Sequence, residues 1–334
     1  MMRLLVILLS FLTIPIINAQ QLDAIIAPLA SKSLLLDITT INQSKLVAVG
    51  ERGHILFSTD GVQWQQSQVP VQVTLTAVYF TDEDNGWAVG HDATILSTKD
   101  GGISWKVQQH LPHMEKPLLD VLFMDAQNGI AIGSYGLFYR TKDGGEHWVI
   151  EYHNEFLYAD DQAYLAELKL QDEEAYLDEQ SSILPHFNRV VADGRTLYLA
   201  GEIGLIAKSN DFGVSWEKLD NIYPGSFYDI KRTQQGNLLV VGLRGHIFRS
   251  LRNGTPWQES ESHVTALLSA IILTDDERVF VLGNNGVLLE SRDDGGSFTK
   301  HLQKDGKPLI AGVWYKNKII AVSDVGIKTI NVTK

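Results

Sequence analysis

Three carboxylates and one guanidinium recur at one place in a repeated segment: Asp37, Asp120 and Asp229 with Arg189, the other copies carrying Ala77, Ser269 and Ala311 there. Gathered into a ring at a channel mouth, such groups can grip a basic side chain or a cation, and a displaced carboxylate pKa would mark that role. The competing reading is structural, because buried polar groups normally tie neighbouring strands together by hydrogen bonds. A second set, Arg52, Arg189 and Arg244, raises sialidase-like glycoside hydrolysis, which needs three arginines on a substrate carboxylate, a Tyr nucleophile with a Glu partner and an acid/base Asp. The Arg-Ile-Pro element expected ahead of the first aspartate-centred turn is missing, so the chain reads as non-catalytic. His110-x-x-His113 has no defined third ligand, and Asp82-x-Asp84-x-Gly86 lacks the glutamate that completes a calcium loop, so neither indicates a metal. No phosphate loop, nucleophile elbow or dinucleotide fingerprint indicates a cofactor.

The elements that must position these residues are themselves repeated. Glycine anchors at Gly50, Gly90, Gly133, Gly201, Gly242 and Gly283, with a degenerate Ser323, lie 40, 43, 68, 41, 41 and 40 residues apart. A period of about 41 residues is that of a four-stranded propeller blade. Each copy reads as an apolar strand, a turn, a second strand ending at the anchor, a short turn, a third strand and a polar turn closing on an aromatic residue. That polar turn is Ser/Thr-x-Asp-x-Gly-x-Ser/Thr-Trp, clearest at Thr98 to Trp105, Thr141 to Trp148 and Ser209 to Trp216. These Asp-boxes staple a fold and carry no chemistry of their own. The expectation is an all-β, seven-bladed propeller of four-stranded antiparallel blades over residues 20–334, in which neighbouring sheets cover each other's faces. The last copy has no fourth strand of its own, and Leu22 to Leu29 is the apolar run expected to pair on the outer edge of blade seven and close the ring.

Residues 1–19 read as a secretory signal peptide, with Arg3 ahead of the apolar stretch Leu4 to Ile17 and cleavage expected after Ala19. The mature chain should then be periplasmic or secreted and should not span a membrane, and the lack of cysteine suits a bacterial periplasm. The formal charge is −12. Ten acidic residues against Lys169 alone, from Glu151 to Ser182, account for −9 of it and leave −3 elsewhere, which argues against a nucleic-acid partner. This stretch belongs to an insertion between blades three and four, residues 150–185, whose mixture of aromatic, leucine and acidic residues reads as short amphipathic helices. Second-to-third strand turns and fourth-to-first strand linkers emerge on one face of the disk, opposite the Asp-boxes. That face carries the candidate partner-binding residues Glu51, Arg52, His91, Asp92, Tyr135, Glu202, Arg244, Phe227 and Tyr228, with Tyr158, Asp160 and Asp161 from the insertion. The acidic helices favour a basic partner surface. Exposed Tyr135, Phe227 and Tyr228 also motivate a carbohydrate-binding alternative, and removal of Glu151 to Ser182 is expected to leave the ring folded.

The segments VGERGHILFSTDG (49–61), VTLTAVYFTDEDNGWAVGHDATILSTKDGGISW (73–105) and LYLAGEIGLIAKSNDFGVSW (197–216) resemble bacterial proteins related to the photosystem II stability and assembly factor, and the resemblance extends over nearly the whole mature chain. It implies a seven-bladed, non-enzymatic factor that binds other proteins while a membrane complex is assembled. It also implies an arginine patch for partner binding, with Arg52 and Arg244, in matching Gly-x-Arg-Gly turns, as the counterparts. Non-photosynthetic relatives often accompany exporters of the resistance-nodulation-division type, so a membrane transporter or an assembling membrane complex is the implied partner.

Overall fold

The structure is a computed structural model that describes residues 22–251 and 254–332. Six four-stranded antiparallel sheets and one three-stranded sheet follow one another in chain order, each pairing its strands sequentially. Their innermost strands, from Leu35–Ile41 to Ala311–Tyr315, each neighbour the next, and the seventh neighbours the first. The chain is thus a seven-bladed β-propeller. The second strands, such as Gly86–Gly90 and Leu238–Gly242, are buried throughout, save the first residue of those that begin at Lys45, Thr196 and Lys318, because a blade lies on either side of them.

The anchor glycines have a steric cause. In blades one to six the innermost strand carries a register shift near its start, for example between Leu35 and Asp37 or between Phe227 and Asp229. At each shift the residue after the anchor donates its N–H to the carbonyl that precedes the innermost strand: Glu51 to Leu34 at 3.1 Å, His91 to Thr74 at 2.9 Å and Ser134 to Pro117 at 3.0 Å. A methyl group on Gly50, Gly90 or Gly133 would overlap that same carbonyl oxygen. The anchors are extended, so close approach rather than an unusual φ demands glycine. Blade seven pairs Ala311 with Val322 without a shift, and there Ser323 takes the anchor position.

The Asp-boxes close the third-to-fourth strand turns as expected. Asp100 accepts from the backbone N–H groups of Ile103 and Ser104, both at 3.0 Å, while Thr98 Oγ1 accepts from Gly102 N–H at 2.9 Å. In Asp143, hydrogen bonds from the His147 backbone and ring hold the carboxyl well below the usual carboxylate range. Residues 252 and 253, in the weakest copy of this turn, lie outside the described residues, as does the signal-peptide segment 1–19.

Ring closure differs from the expectation. Leu22 to Leu29 forms no strand and lies along blade one: Ala24 N–H donates to Val69 O at 2.8 Å, and Gln66 holds both Ala27 N–H and Ile25 O through its side chain. Among the described residues blade seven keeps three strands, Ala311–Tyr315, Lys318–Ser323 and Gly326–Ile330. The short helical turn Ala30–Lys32 packs beside the last of them. The physical reason is competition for backbone groups, since the outer edge and linker of blade one already satisfy the polar atoms of the N-terminal run. Blades seven and one are joined instead by packing and by the Tyr315 hydroxyl, which donates to Ser44 O and Thr59 O at 3.0 and 2.7 Å.

The insertion contains the two α-helices, α1 (Ala159–Gln171) and α2 (Glu173–Gln180), with Asp172 capping α2 by accepting from Ala175 N–H at 3.0 Å. Phe156, Leu157, Leu165 and Leu184 are buried in one cluster with Phe138, Phe187 and Trp216. The segment is therefore part of the core between blades three and four, and removing it would strip about 1.5–3 kcal/mol of burial for each such side chain.

Gly90→Ala should lower unfolding free energy by about 1–3 kcal/mol, because the added methyl meets backbone that cannot rotate away. Ser323→Gly should change it by less than about 1 kcal/mol. Equilibrium urea denaturation of both variants checks the difference, and equal losses would contradict the steric account.

Candidate functional site

The axial cavity, about 320 Å³, is lined by Asp37, Asp120, Arg189, Asp229 and Lys231. Pairing with the residue before each anchor puts Asp37, Ala77, Asp120, Arg189, Asp229, Ala270 and Ala311 in equivalent register. The sixth ring member is therefore Ala270, and Ser269 lies one residue earlier. Each ring aspartate reaches the next blade: Asp37 Oδ2 accepts from Val78 N–H at 3.0 Å, Asp120 Oδ2 from Val190 N–H at 2.8 Å, and Asp229 Oδ2 from Ile271 N–H at 2.7 Å. The intervening blades use the position before the ring as a donor. Thr76 Oγ1 donates to Leu118 O at 2.6 Å, Asn188 Nδ2 to Phe227 O at 2.8 Å, and Ser269 Oγ to Leu309 O at 2.9 Å. Acceptors and donors alternate around the axis, so six consecutive blade junctions each carry a side-chain-to-backbone bond.

Arg189 sits among the carboxylates, its Nη1 3.3 Å from Asp120 and its Nε 3.9 Å from Asp229, while Lys231 Nζ donates to Ile271 O at 2.6 Å. Burial opposes the Arg189 charge, but Asp120, Asp37 and Asp229 outweigh it and hold the guanidinium protonated. Burial likewise raises Asp37, and it pushes Asp120 up to about 6 against the pull of Arg189 and of Val190 N–H, with Asp37 adding repulsion. The ring thus brings together the four residues expected there, and its basic group comes from the chain itself.

On the loop-bearing face the second-to-third strand turns share a geometry. Arg52, Asp92, Tyr135, Ile203, Arg244 and Asn285 occupy one equivalent position with φ between 54° and 59°. His54 N–H donates to Glu51 O at 2.9 Å, and His246 N–H to Leu243 O at 3.1 Å, so Arg52-Gly53 and Arg244-Gly245 form the centres of two-residue hairpin turns with both φ values positive. The following glycine abuts the incoming linker: a methyl on Gly53 or Gly245 would strike Val71 O or Val264 O. Left-handed non-glycine residues cost energy, and for β-branched Ile203 the geometry is an outlier. Yet Arg52, Tyr135, Ile203 and Arg244 all remain exposed, Tyr135 with one side against the His186 ring at 4.6 Å.

The other expected partner-binding residues divide into three groups. His91, Tyr158 and Asp160 are exposed and Asp161 is half-buried. Glu51 and Glu202 brace linkers, accepting from Leu34 and His186 N–H, both at 3.3 Å. Phe227 is a correction: it is fully buried against Phe248 because its side chain occupies the core-facing start of the fifth innermost strand. Tyr228 is half-buried, and burial raises its hydroxyl pKa. The arginines of the sialidase reading do not converge, since Arg189 is ion-paired in the axial cavity while Arg52 and Arg244 cap turns of blades one and five. His110 Nδ1 pairs with the Thr94 hydroxyl at 2.9 Å, and no group of three metal-ligating side chains occurs among the described residues. No helix among those residues is long and apolar enough to cross a membrane.

A family model described as photosynthesis system II assembly factor YCF48 matches residues 58–116. The photosystem II assembly lipoprotein Ycf48 of Prochlorococcus marinus is 30% identical over 257 residues, covering 75% of this chain and 67% of that protein. The chain belongs to the Ycf48 family of β-propellers. The Thermosynechococcus vestitus Ycf48 protein is 28% identical over 233 residues, or 69% of this chain and 60% of its own length. Matches to Ycf48 relatives span from 15% to 67% of their lengths. The solved structure of YCF48 bound to D1 peptide superposes with a TM-score of 0.68 at 19% identity, covering 93% of this chain and 96% of that one, which shows a shared fold.

The raised pKa of Asp120 sets a pH dependence. Its folded value lies above its ordinary value, so this group's contribution to stability is full below about pH 4 and is lost as pH rises through about 6. Asp120→Asn should remove on the order of 2 kcal/mol of stability change across that window. Denaturation midpoints of both proteins from pH 4 to 7 check this, and parallel curves would contradict it.

Proposed function

We propose that this protein is a non-catalytic, exported assembly or accessory factor that captures a segment of another protein on its loop-bearing face while a membrane or envelope complex is built. Membership of the Ycf48 family supports the assembly role, and the D1 peptide bound by the solved YCF48 relative supports a protein segment as the thing held. The observation that carries the reading is the set of strained turn residues. Six blades hold a side chain in the left-handed region at one equivalent place, and Arg52, Tyr135, Ile203 and Arg244 stand exposed there. A rigid ring that keeps exposed side chains at energetic cost is organised for recognition. The partner is a membrane transporter or an assembling membrane complex, met on the periplasmic side. The acidic insertion, −9 over residues 151–182, favours a partner with a basic surface.

Photo-crosslinking amino acids placed at Arg52, Tyr135 and Ile203 should trap an envelope protein in cells. The same group at Val62, Ile103 and Val214, exposed on the Asp-box turns of the opposite face, should not. Trapping only from the Asp-box positions would refute the assignment of the face. Amino-terminal sequencing of the mature protein should begin at Gln20, and a chain still starting at Met1 would refute export by cleavage.

A further inference from the structure

We infer that the groove where the insertion meets blade four is an anchor pocket for one large apolar side chain of the captured segment, and that this residue is flanked by lysine or arginine. The inference rests on the loop-face reading and specifies its partner chemistry.

The groove has a volume of about 270 Å³ and an apolar wall made largely by Leu157, Ile183, Pro185, Ile203, Leu205 and Leu219. It is smaller than typical clefts for metabolites, which run from about 300 Å³ upward, and is scaled to a side chain or two. Its floor is firm because Phe156, Leu157 and Leu205 belong to the buried cluster with Phe187 and Trp216. Lys218, at one side, is already engaged: its Nζ lies 3.4 Å from Phe156 O and Leu157 O and 5.3 Å from the centre of the Tyr158 ring. At the lip, Ile203 holds φ at 55° and is still 56% exposed, so a β-branched side chain is kept at a strained angle with more than half its surface in water. An apolar residue entering the groove would cover it.

Charge decides what surrounds the anchor. Asp161 and Glu202 line the groove and outnumber its one lysine, Lys218, with His186 Nδ1 3.5 Å from Glu202; Asp160 precedes on the same first turn of α1, and within residues 151–182 only Lys169 offsets the ten carboxylates. A segment with acidic neighbours would bring like charges together at this rim, whereas lysine or arginine on both sides of the anchor finds opposite charge. Apolar contact supplies affinity and the acidic rim supplies selection, the division usual for buried anchors in protein interfaces.

The test uses labelled peptides of sequence Lys-Lys-Leu-Lys-Lys, its alanine-centred counterpart, and Glu-Glu-Leu-Glu-Glu, titrated into the full mature protein by fluorescence anisotropy with amide chemical shifts as a map. The leucine peptide should bind with shifts concentrated at the groove. Replacing leucine by alanine should weaken binding about tenfold or more, as about 1.4 kcal/mol of lost apolar contact predicts. The acidic peptide should not bind. Ile203→Glu should abolish leucine-dependent binding and Asp161→Lys should weaken it, while Ile103→Glu on the opposite face should leave it unchanged; circular dichroism confirms that each variant is folded. Equal binding of the leucine and alanine peptides, indifference to Ile203→Glu, or no shift at about 1 mM peptide would overturn the inference. Crosslinking from Arg52 and Tyr135 reports separately on the loop face: if it persists while the peptides fail, the pocket is wrong and the face is right. If it fails while the peptides bind the groove, the groove stands as a peptide site and capture by the Arg52 and Tyr135 turns is wrong.

Discussion

The contact on which the rest of this molecule depends is the close approach of each anchor residue to the carbonyl ahead of the innermost strand. That contact leaves no room for a β-carbon in blades one to six, and it creates the register shift that delivers the next residues to the axis. Because the shift recurs in six blades, it lays down a ring of side chains at fixed height, and those side chains reach across to the neighbouring blade. Asp37, Asp120 and Asp229 accept, Thr76, Asn188 and Ser269 donate, and each link consumes a backbone group that would otherwise be unsatisfied in a buried place. The polar groups at the centre are thus explained mainly by the need to join sheets whose innermost strands are not paired with one another. The excess negative charge is what remains when three carboxylates are arranged around Arg189 and Lys231, and it accompanies the burial that raises the pKa of Asp120.

Rigidity at the axis is what lets the opposite end of the turns be demanding. The second-to-third strand turns hold a left-handed residue in six blades, followed by a second residue with positive φ that packs against the incoming linker. Strain of that sort persists only where the surroundings over-determine it. The linker contacts and the buried second strands provide that support, so the exposed side chains of Arg52, Tyr135, Ile203 and Arg244 are displayed at a constant pitch around the rim. The insertion adds asymmetry. It is seated in the core by Phe156, Leu157, Leu165 and Leu184, and it gathers most of the chain's net negative charge on one sector of the face.

The spacing of the glycines, the Asp-boxes and the helical insertion are legible in the chain because each is a local pattern with one physical cause. Ser269 falls one residue away from the ring because the register shift moves the ring position relative to the anchor, and a linear alignment cannot see a bulge. Phe227 reads as a surface residue from its place beside a linker, but the same shift turns the first residue of the innermost strand into the core. The donors Thr76 and Asn188 are missed by a reading of the ring position alone, although their signal is present: a polar residue precedes the ring position in blades two, four and six, where Thr76, Asn188 and Ser269 stand. The missing strand points the N-terminal run to blade seven, whereas the contacts that decide its course, through Gln66, Gln72 and Val69, are side-chain and linker contacts that periodicity does not encode.

The departure at blade seven has a mechanical consequence. Six junctions are cross-linked at the hub, but the junction between the last sheet and the first relies on the Tyr315 hydroxyl, the Lys316 ammonium and a shared apolar cluster. The wheel therefore has a seam. Under load or thermal breathing it will gape there first and behave as a clasp rather than a weld, while the sector bearing the insertion, on the far side of the hub, keeps its shape.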